Sequence, residues 1–286
     1  MKFALDLGTG DLRRGVAAAA EQRFDGVSVA ARSLQLRDLS TTGRREVAAV
    51  VRRHNLSGAA LRVVLPGKGL TPEADAERMI EGFVRAATGA RDCGFEIVAC
   101  DLGAQPRAAE PSPSKANKPF DPAAAGLILL PTPADVAKVE TKDTPAVPLT
   151  DRERQAAADA VDLLREVAAR LDAIGVPFAF GASLATTADL SEILTRVGSP
   201  LFFRELDPAA VVEELQADVD AVVKTNPPIL HVIGNDAQHA ARRTRAADVG
   251  DGDVPWPAVK ESLADAGFTG FVSVESAAAR DALRST

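Results

Sequence analysis

Val249-Gly250-Asp251-Gly252-Asp253-Val254-Pro255-Trp256-Pro257-Ala258-Val259, and then Ala266-Gly267-Phe268-Thr269-Gly270-Phe271-Val272-Ser273-Val274-Glu275, hold one complete structural unit. The first stretch is a loop rich in Gly and Asp. A helix is expected over Pro257 to Ala266, because proline suits the first helical position and Gly267 stands where a terminating glycine belongs. Phe271 to Glu275 is short, apolar and bounded by Gly270, which predicts a buried strand.

Working outward, the same alternation recurs. Further strands are expected at Phe3 to Leu7, Gly26 to Ala31, Ala60 to Leu65, Phe95 to Leu102, Val176 to Gly181, Leu201 to Leu206 and Ile229 to Ile233. Helical patterns lie between them, at Leu12 to Gln22, Gly43 to His54, Pro72 to Cys93, Asp151 to Ile174, Asp189 to Val197 and Pro208 to Lys224. Strand alternating with helix about eight times predicts a (β/α)8 TIM barrel, an α/β fold, as one domain over residues 1–286. A doubly wound open sheet is the other arrangement with this pattern, but Leu7-Gly8-Thr9-Gly10-Asp11 is too short for a dinucleotide fingerprint. The rhythm breaks at 104–150, a Pro-rich insertion after strand four. That is the position of a βα loop, on the active-site face of a barrel. It reads as a surface insertion, a lid or an oligomer contact.

Composition narrows the function. Of 286 residues, 33 are Lys or Arg and 40 are Asp or Glu, for a net charge of −7, which argues against nucleic acid as a partner. No apolar run approaches the roughly 20 residues of a membrane span, and the N-terminus does not read as a signal peptide. Cys93 and Cys100 form no redox or zinc motif and are expected to be reduced thiols of a cytoplasmic protein. Tyrosine is absent, so no phenol serves as acid or base.

The Gly250 to Glu275 segment resembles the C-terminal signature of xylose-isomerase-like TIM barrels, the sugar phosphate isomerase/epimerase superfamily. There a Gly-x-Gly-x-(Val/Ile)-x-Trp loop, a helix, Ala-Gly-(Tyr/Phe)-x-Gly and a strand ending in Glu follow one another. His231-Val232-Ile233-Gly234-Asn235-Asp236-Ala237 is similar to that family's His-Val-His-Leu-Lys-Asp-Ala. The resemblance implies isomerisation or epimerisation of a small sugar, sugar phosphate or polyol by proton transfer between adjacent carbons. It also implies a divalent ion (Mn, Mg, Co or Zn) held by Glu, Asp, His and Glu from the last four strands.

Carried over one at a time, the final Glu falls on Glu275 and the Asp on Asp207. The fifth-strand Glu falls near Gly181 and the His at Ile233, where this sequence has neither. Glu275 and Asp207 are therefore the expected catalytic pair, and with His231 the expected metal ligands. His231, Asp236, Glu205 and Arg242 are expected beside the substrate. Glu205, Asp207, His231 and Glu275 can converge if their strand faces point inward; Asn235 and Asp236 are the other donors nearby. The competing reading is a catalytically inactive barrel that binds a small polar ligand or a partner subunit. Barrels of this kind often pair, so a homo-oligomer is a further expectation. Phosphodiester cleavage, which needs several His ligands, is disfavoured by a chain with three histidines.

Other residues have blander readings beside these. Asp6 and Asp101 end strands and read as hydrogen-bonded carboxylates or as mouth residues. Arg204, out of phase with Glu205, should face the helices. Lys68 lies on a glycine-rich loop without a phosphate-binding motif, and His54 ends a helix. His239, Arg242, Arg243 and Arg245 form a basic patch after strand seven. Trp256, between two prolines, is expected to anchor its loop by packing.

Overall fold

The computed structural model describes residues 1–36, 38–64, 69–71, 75–103, 105–108, 149–181, 186–240 and 243–285. The strands are β1 (Lys2–Asp6), β2 (Gly26–Ala30), β3 (Ser57–Val64), β4 (Phe95–Asp101), β5 (Phe178–Gly181), β6 (Phe202–Leu206), β7 (Ile229–Ile233), β8 (Asp236–Ala240), β9 (Arg243–Ala247) and β10 (Phe271–Val274). The helices are α1 (Leu12–Glu21), α2 (Thr41–Arg53), α3 (Ala76–Cys93), α4 (Asp151–Asp172), α5 (Thr187–Val197), α6 (Val212–Ala217), α7 (Val219–Val223), α8 (Trp256–Asp265) and α9 (Ala277–Ser285). Eight parallel strands close in the order β1-β10-β7-β6-β5-β4-β3-β2. The pairing of Lys2 with Phe271 and Phe3 with Val272 joins first strand to last, so the sheet is a barrel and not an open, doubly wound one. The proline-rich insertion and Lys68 fall outside the described residues, apart from short stretches at the insertion's ends.

Strand parity sorts the core into two layers. Outward-facing residues pack under the helices. There Phe83 of α3 meets Phe178 and Phe180 edge-on at 5.7 and 6.0 Å, and Phe180 meets Phe202 at 4.9 Å, which fixes β5 and β6 against the outer ring. Inward-facing positions are mostly small: three alanines, Ala60, Ala99 and Ala179, form a separate cluster with Ile97 inside the barrel. That leaves room in the interior for polar side chains. Cys93 and Cys100 are buried free thiols; burial raises the first to about 11 and the second well above its usual range, so neither is a ready nucleophile.

Three local features depart from the sequence reading. The helix expected over Pro208 to Lys224 is two short ones. Asp218 adopts an extended backbone and its carboxylate accepts from Ala221 N, so it ends α6 and caps α7. The segment after β7 is an antiparallel hairpin, β8–β9, rather than an irregular loop. After β10 comes α9, started by Ser276, whose hydroxyl accepts from Ala279 N.

Arg204 does face the helices, 2% exposed. It donates to the carbonyls of Pro227, Val222, Val223 and Thr225, at 2.5 to 2.9 Å. Burial lowers it to about 10, still far above neutrality, so it remains charged. Replacing it by methionine takes the donor from four carbonyls, two of them in buried hydrogen bonds and two in part-buried ones. Arg204→Met is expected to cost about 3 kcal/mol or more, read as a lower urea midpoint at unchanged slope.

Candidate functional site

The inward faces of β2, β10, β7 and β6 carry one continuous polar row. Ser28 Oγ lies 2.6 Å from Ser273 Oγ, Ser273 Oγ lies 2.7 Å from His231 Nε2, and His231 Nδ1 lies 2.7 Å from Glu205 Oε1. His231 is 0% exposed, and Ser28, Ser273 and Glu205 are buried. An ionised carboxylate only accepts. His231 therefore donates from Nδ1 to Glu205, Nε2 accepts from the Ser273 hydroxyl, and Ser273 accepts from Ser28. The spacing is that of a serine–histidine–acid relay, but with no exposed nucleophile.

The other oxygen of Glu205 faces Gly181: a β-carbon built there would sit 3.0 Å from Oε2. A longer side chain at 181 would compete with this carboxylate for the same space. Oε2 accepts no hydrogen bond among the described residues. Above it, just past β6, half-buried Asp207 accepts from Asn235 Nδ2 at 2.8 Å and from Ala210 N at 3.2 Å. Burial raises the Asp207 carboxyl above its ordinary range, opposed by those two hydrogen bonds. Across the mouth, Arg62 of β3 reaches Asp6 of β1 at 2.5 Å. Its charge interacts with Glu205 and Asp207 as well.

Sequence reasoning places Glu205 and His231 on one inward layer, and they are in contact. It expects His231 to meet substrate or metal; instead both ring nitrogens are occupied inside the barrel. Asp236, expected beside the substrate, is 2% exposed. Its carboxylate accepts from the N–H groups of Ala237, Gly250 and Val254, tying the hairpin to the Gly250 loop. Gly252 is required beside it, since a β-carbon would fall 2.1 Å from Asp236 Oδ1. Glu275 stands just past β10, exposed, with no hydrogen bond or ion pair among the described residues. Trp256 is buried in the packing, as expected. Arg242 lies outside the described residues. Sequence reasoning misses Arg62, although its signal is present: two positions after Ala60, it puts a charge on the inward parity of β3.

The divalent ion implied by the resemblance does not fit these donors. Gly181 and Ile233 supply no ligand, both His231 nitrogens are occupied, and Glu275 stands exposed. Among the described residues no three His, Cys, Asp or Glu side chains gather into a group that could hold an ion.

The model of the xylose isomerase-like TIM barrel family matches residues 16–285. No curated protein matches in sequence. Among solved structures, the probable 3-DHS dehydratase AsbF of Bacillus anthracis, involved in petrobactin synthesis, is 17% identical, with a TM-score of 0.67 over 100% of this chain and 97% of that one. The 3-keto-D-glucoside 4-epimerase YcjR of E. coli is 14% identical at 0.66, over 100% of both chains. D-psicose 3-epimerase of Clostridium cellulolyticum H10, solved with D-tagatose, is 15% identical at 0.64, over 96% and 84%. At these identities the likeness is one of fold.

The raised Asp207 carboxyl carries a pH signature. A carboxyl whose folded pKa exceeds its unfolded one favours the native state most when protonated, and loses that advantage as pH rises through the folded value. A neutral amide in its place would keep an oxygen to accept from Asn235 and Ala210 without the buried charge. Asp207→Asn is therefore expected to melt higher than the wild type at pH 7 to 8, with the gap closing near pH 4, in a melting series across that range.

Proposed function

Since the chain belongs to the xylose isomerase-like TIM barrel family, we propose that it is an isomerase or epimerase of a small sugar or polyol, moving a proton between adjacent carbons. The observation that carries this reading is Glu205. One carboxylate oxygen is fixed by His231, and the other, which accepts no hydrogen bond among the described residues, looks into the space over Gly181. A base for carbon acids needs that combination of fixed orientation and one free lone pair.

In this scheme Glu205 Oε2 takes the proton from the carbon beside a carbonyl. The C–H electron pair moves into an enediol, and Glu205 returns the proton to the neighbouring carbon on the same face; for inversion the carbon takes a proton from water on its opposite face, while Glu205 gives up the abstracted one to solvent. Asp207 stands past the end of the same strand, and burial favours its protonated form. It serves as the acid toward a substrate oxygen, with Asn235 orienting it. The row through His231, Ser273 and Ser28 holds Glu205 still and does not touch substrate. A bound divalent ion would polarise the carbonyl and hydroxyl pair in enzymes that carry one; no step here is assigned to it.

A second reading, an inactive barrel that binds a small polar ligand, is favoured by one specific observation. Gly181 and Ile233 occupy two ligand positions of the family pattern, and Glu275, at a third, is exposed and has no ion pair among the described residues. The two readings separate in deuterium oxide. Incubated with a panel of ketoses and aldoses, the wild type is expected to incorporate deuterium beside the carbonyl. Glu205→Gln, which keeps the shape and loses the base, should slow incorporation by about 10² to 10⁴. No exchange with any sugar would favour the inactive barrel. Full exchange by Glu205→Gln would remove that residue from the mechanism.

A further inference from the structure

The mouth of the barrel concentrates negative charge. Glu205 and Asp207 from the β6 side and Asp6 from β1 all act on one guanidinium, Arg62. Burial alone would lower Arg62, but these three carboxylates outweigh it and hold the group firmly charged. Arg62 is in register with Ala30 on β2 and Ala99 on β4. Two small neighbours let its side chain lie across β2 to Asp6, the contact at 2.5 Å. Asp6 is itself oriented by Gly8 N, 3.0 Å from its other oxygen. Only Nη1 of Arg62 is engaged by a described residue. The side chain is 31% exposed and borders a cavity of about 410 Å³ that Asp6, Ala30, Val63 and the exposed Arg32 also line.

We propose that Arg62 is the resident cation of this mouth, taking the electrostatic place of a divalent ion and turning its free N–H groups toward an oxygen of a neutral, polyhydroxylated ligand. Carboxylates that share a partly buried rim need a counter-charge. A guanidinium anchored on one of them supplies it, with planar donors left over. With Asp6, Glu205 and Asp207 acting on Arg62 and Arg32 beside the same cavity, the charges nearly balance, which suits an uncharged ligand rich in hydroxyls over a strongly charged one. The ligand half of this inference rests on the isomerase reading: the oxygen that gains charge when Glu205 takes a carbon-bound proton would be the one facing Arg62. The charge half stands on Arg62, Asp6, Glu205 and Asp207 alone.

The test is manganese binding by the whole chain, stripped with chelator and then dialysed. The wild type is expected to retain far less than one Mn²⁺ per chain at about 1 mM, and its melting temperature should not move. Arg62→Lys keeps the charge and should behave alike. Arg62→Met removes the charge at similar bulk and is expected to melt lower than the wild type at pH 7 to 8, where Asp6, Glu205 and Asp207 lose their counter-charge, with the gap narrowing as pH falls toward 4. Wild-type protein that holds about one Mn²⁺ per chain overturns the proposal, as does a folded Arg62→Met that melts with the wild type at pH 7 to 8. Should Arg62→Met not fold, the wild-type and Arg62→Lys dialyses decide it. The two readings fail separately. A chain that ignores manganese and exchanges no sugar proton refutes the isomerase and supports Arg62 as the cation. A chain that exchanges sugar protons only with manganese bound supports the isomerase and refutes Arg62.

Discussion

An imidazole with no exposed surface governs the inside of this barrel. His231 needs two partners, because a buried ring nitrogen left unsatisfied carries a desolvation penalty of about 1 to 3 kcal/mol. It finds them on the strands to either side, Glu205 on β6 and Ser273 on β10, and Ser28 on β2 extends the row. The row exists because the opposite wall is built from alanine. With Ala60, Ala99 and Ala179 facing in, the interior cannot be filled by aliphatic side chains alone. The sequence composition, poor in aromatics and without tyrosine, is what makes a polar interior both necessary and possible.

The same row decides where a usable carboxylate stands. In the family pattern an acid is expected on the fifth strand, near Gly181. Here the acid that fills that space comes from the next strand, Glu205, with Oε2 against the bare backbone of Gly181. The two features are complementary. An acid at 181 would bring two carboxylates together, and a larger residue there would displace the one present. Beside it, Asp6, Glu205 and Asp207 act on Arg62 from strands far apart in the chain.

Much of the fold was legible because strand and helix periodicities differ and glycine and proline punctuate them. The final unit, from Pro257 to Glu275, carried the clearest punctuation, and the structure has its helix and strand in the expected order. What escaped was contextual. Asp218 looks like one more polar residue on a helix face, and only its extended backbone shows it as a cap. Gln238 to Ala246 alternates weakly and is short of large apolar residues, so no strand signal rises above loop. In the candidate site, the layer of Glu205 and His231 followed from parity within each strand. The inward turn of Arg62 followed from the same rule, but a charged residue in an apolar run invites the opposite assumption. The role of Asp236 was not legible at all, since its three donors come from Ala237, Gly250 and Val254, and the last two approach only when the chain folds back.

One guanidinium, that of Arg204, measures out the turn between α7 and β7 by grasping carbonyls at 222, 223, 225 and 227. A fixed caliper of that kind tolerates changes of side chain but not of spacing. Loops elsewhere on the barrel are free to lengthen or shrink as the lineage diverges. This one is not, because adding or deleting a single residue would slide every oxygen off its nitrogen. Among distant relatives that keep the arginine, the gap-free interval should therefore be the one that matches 222–227.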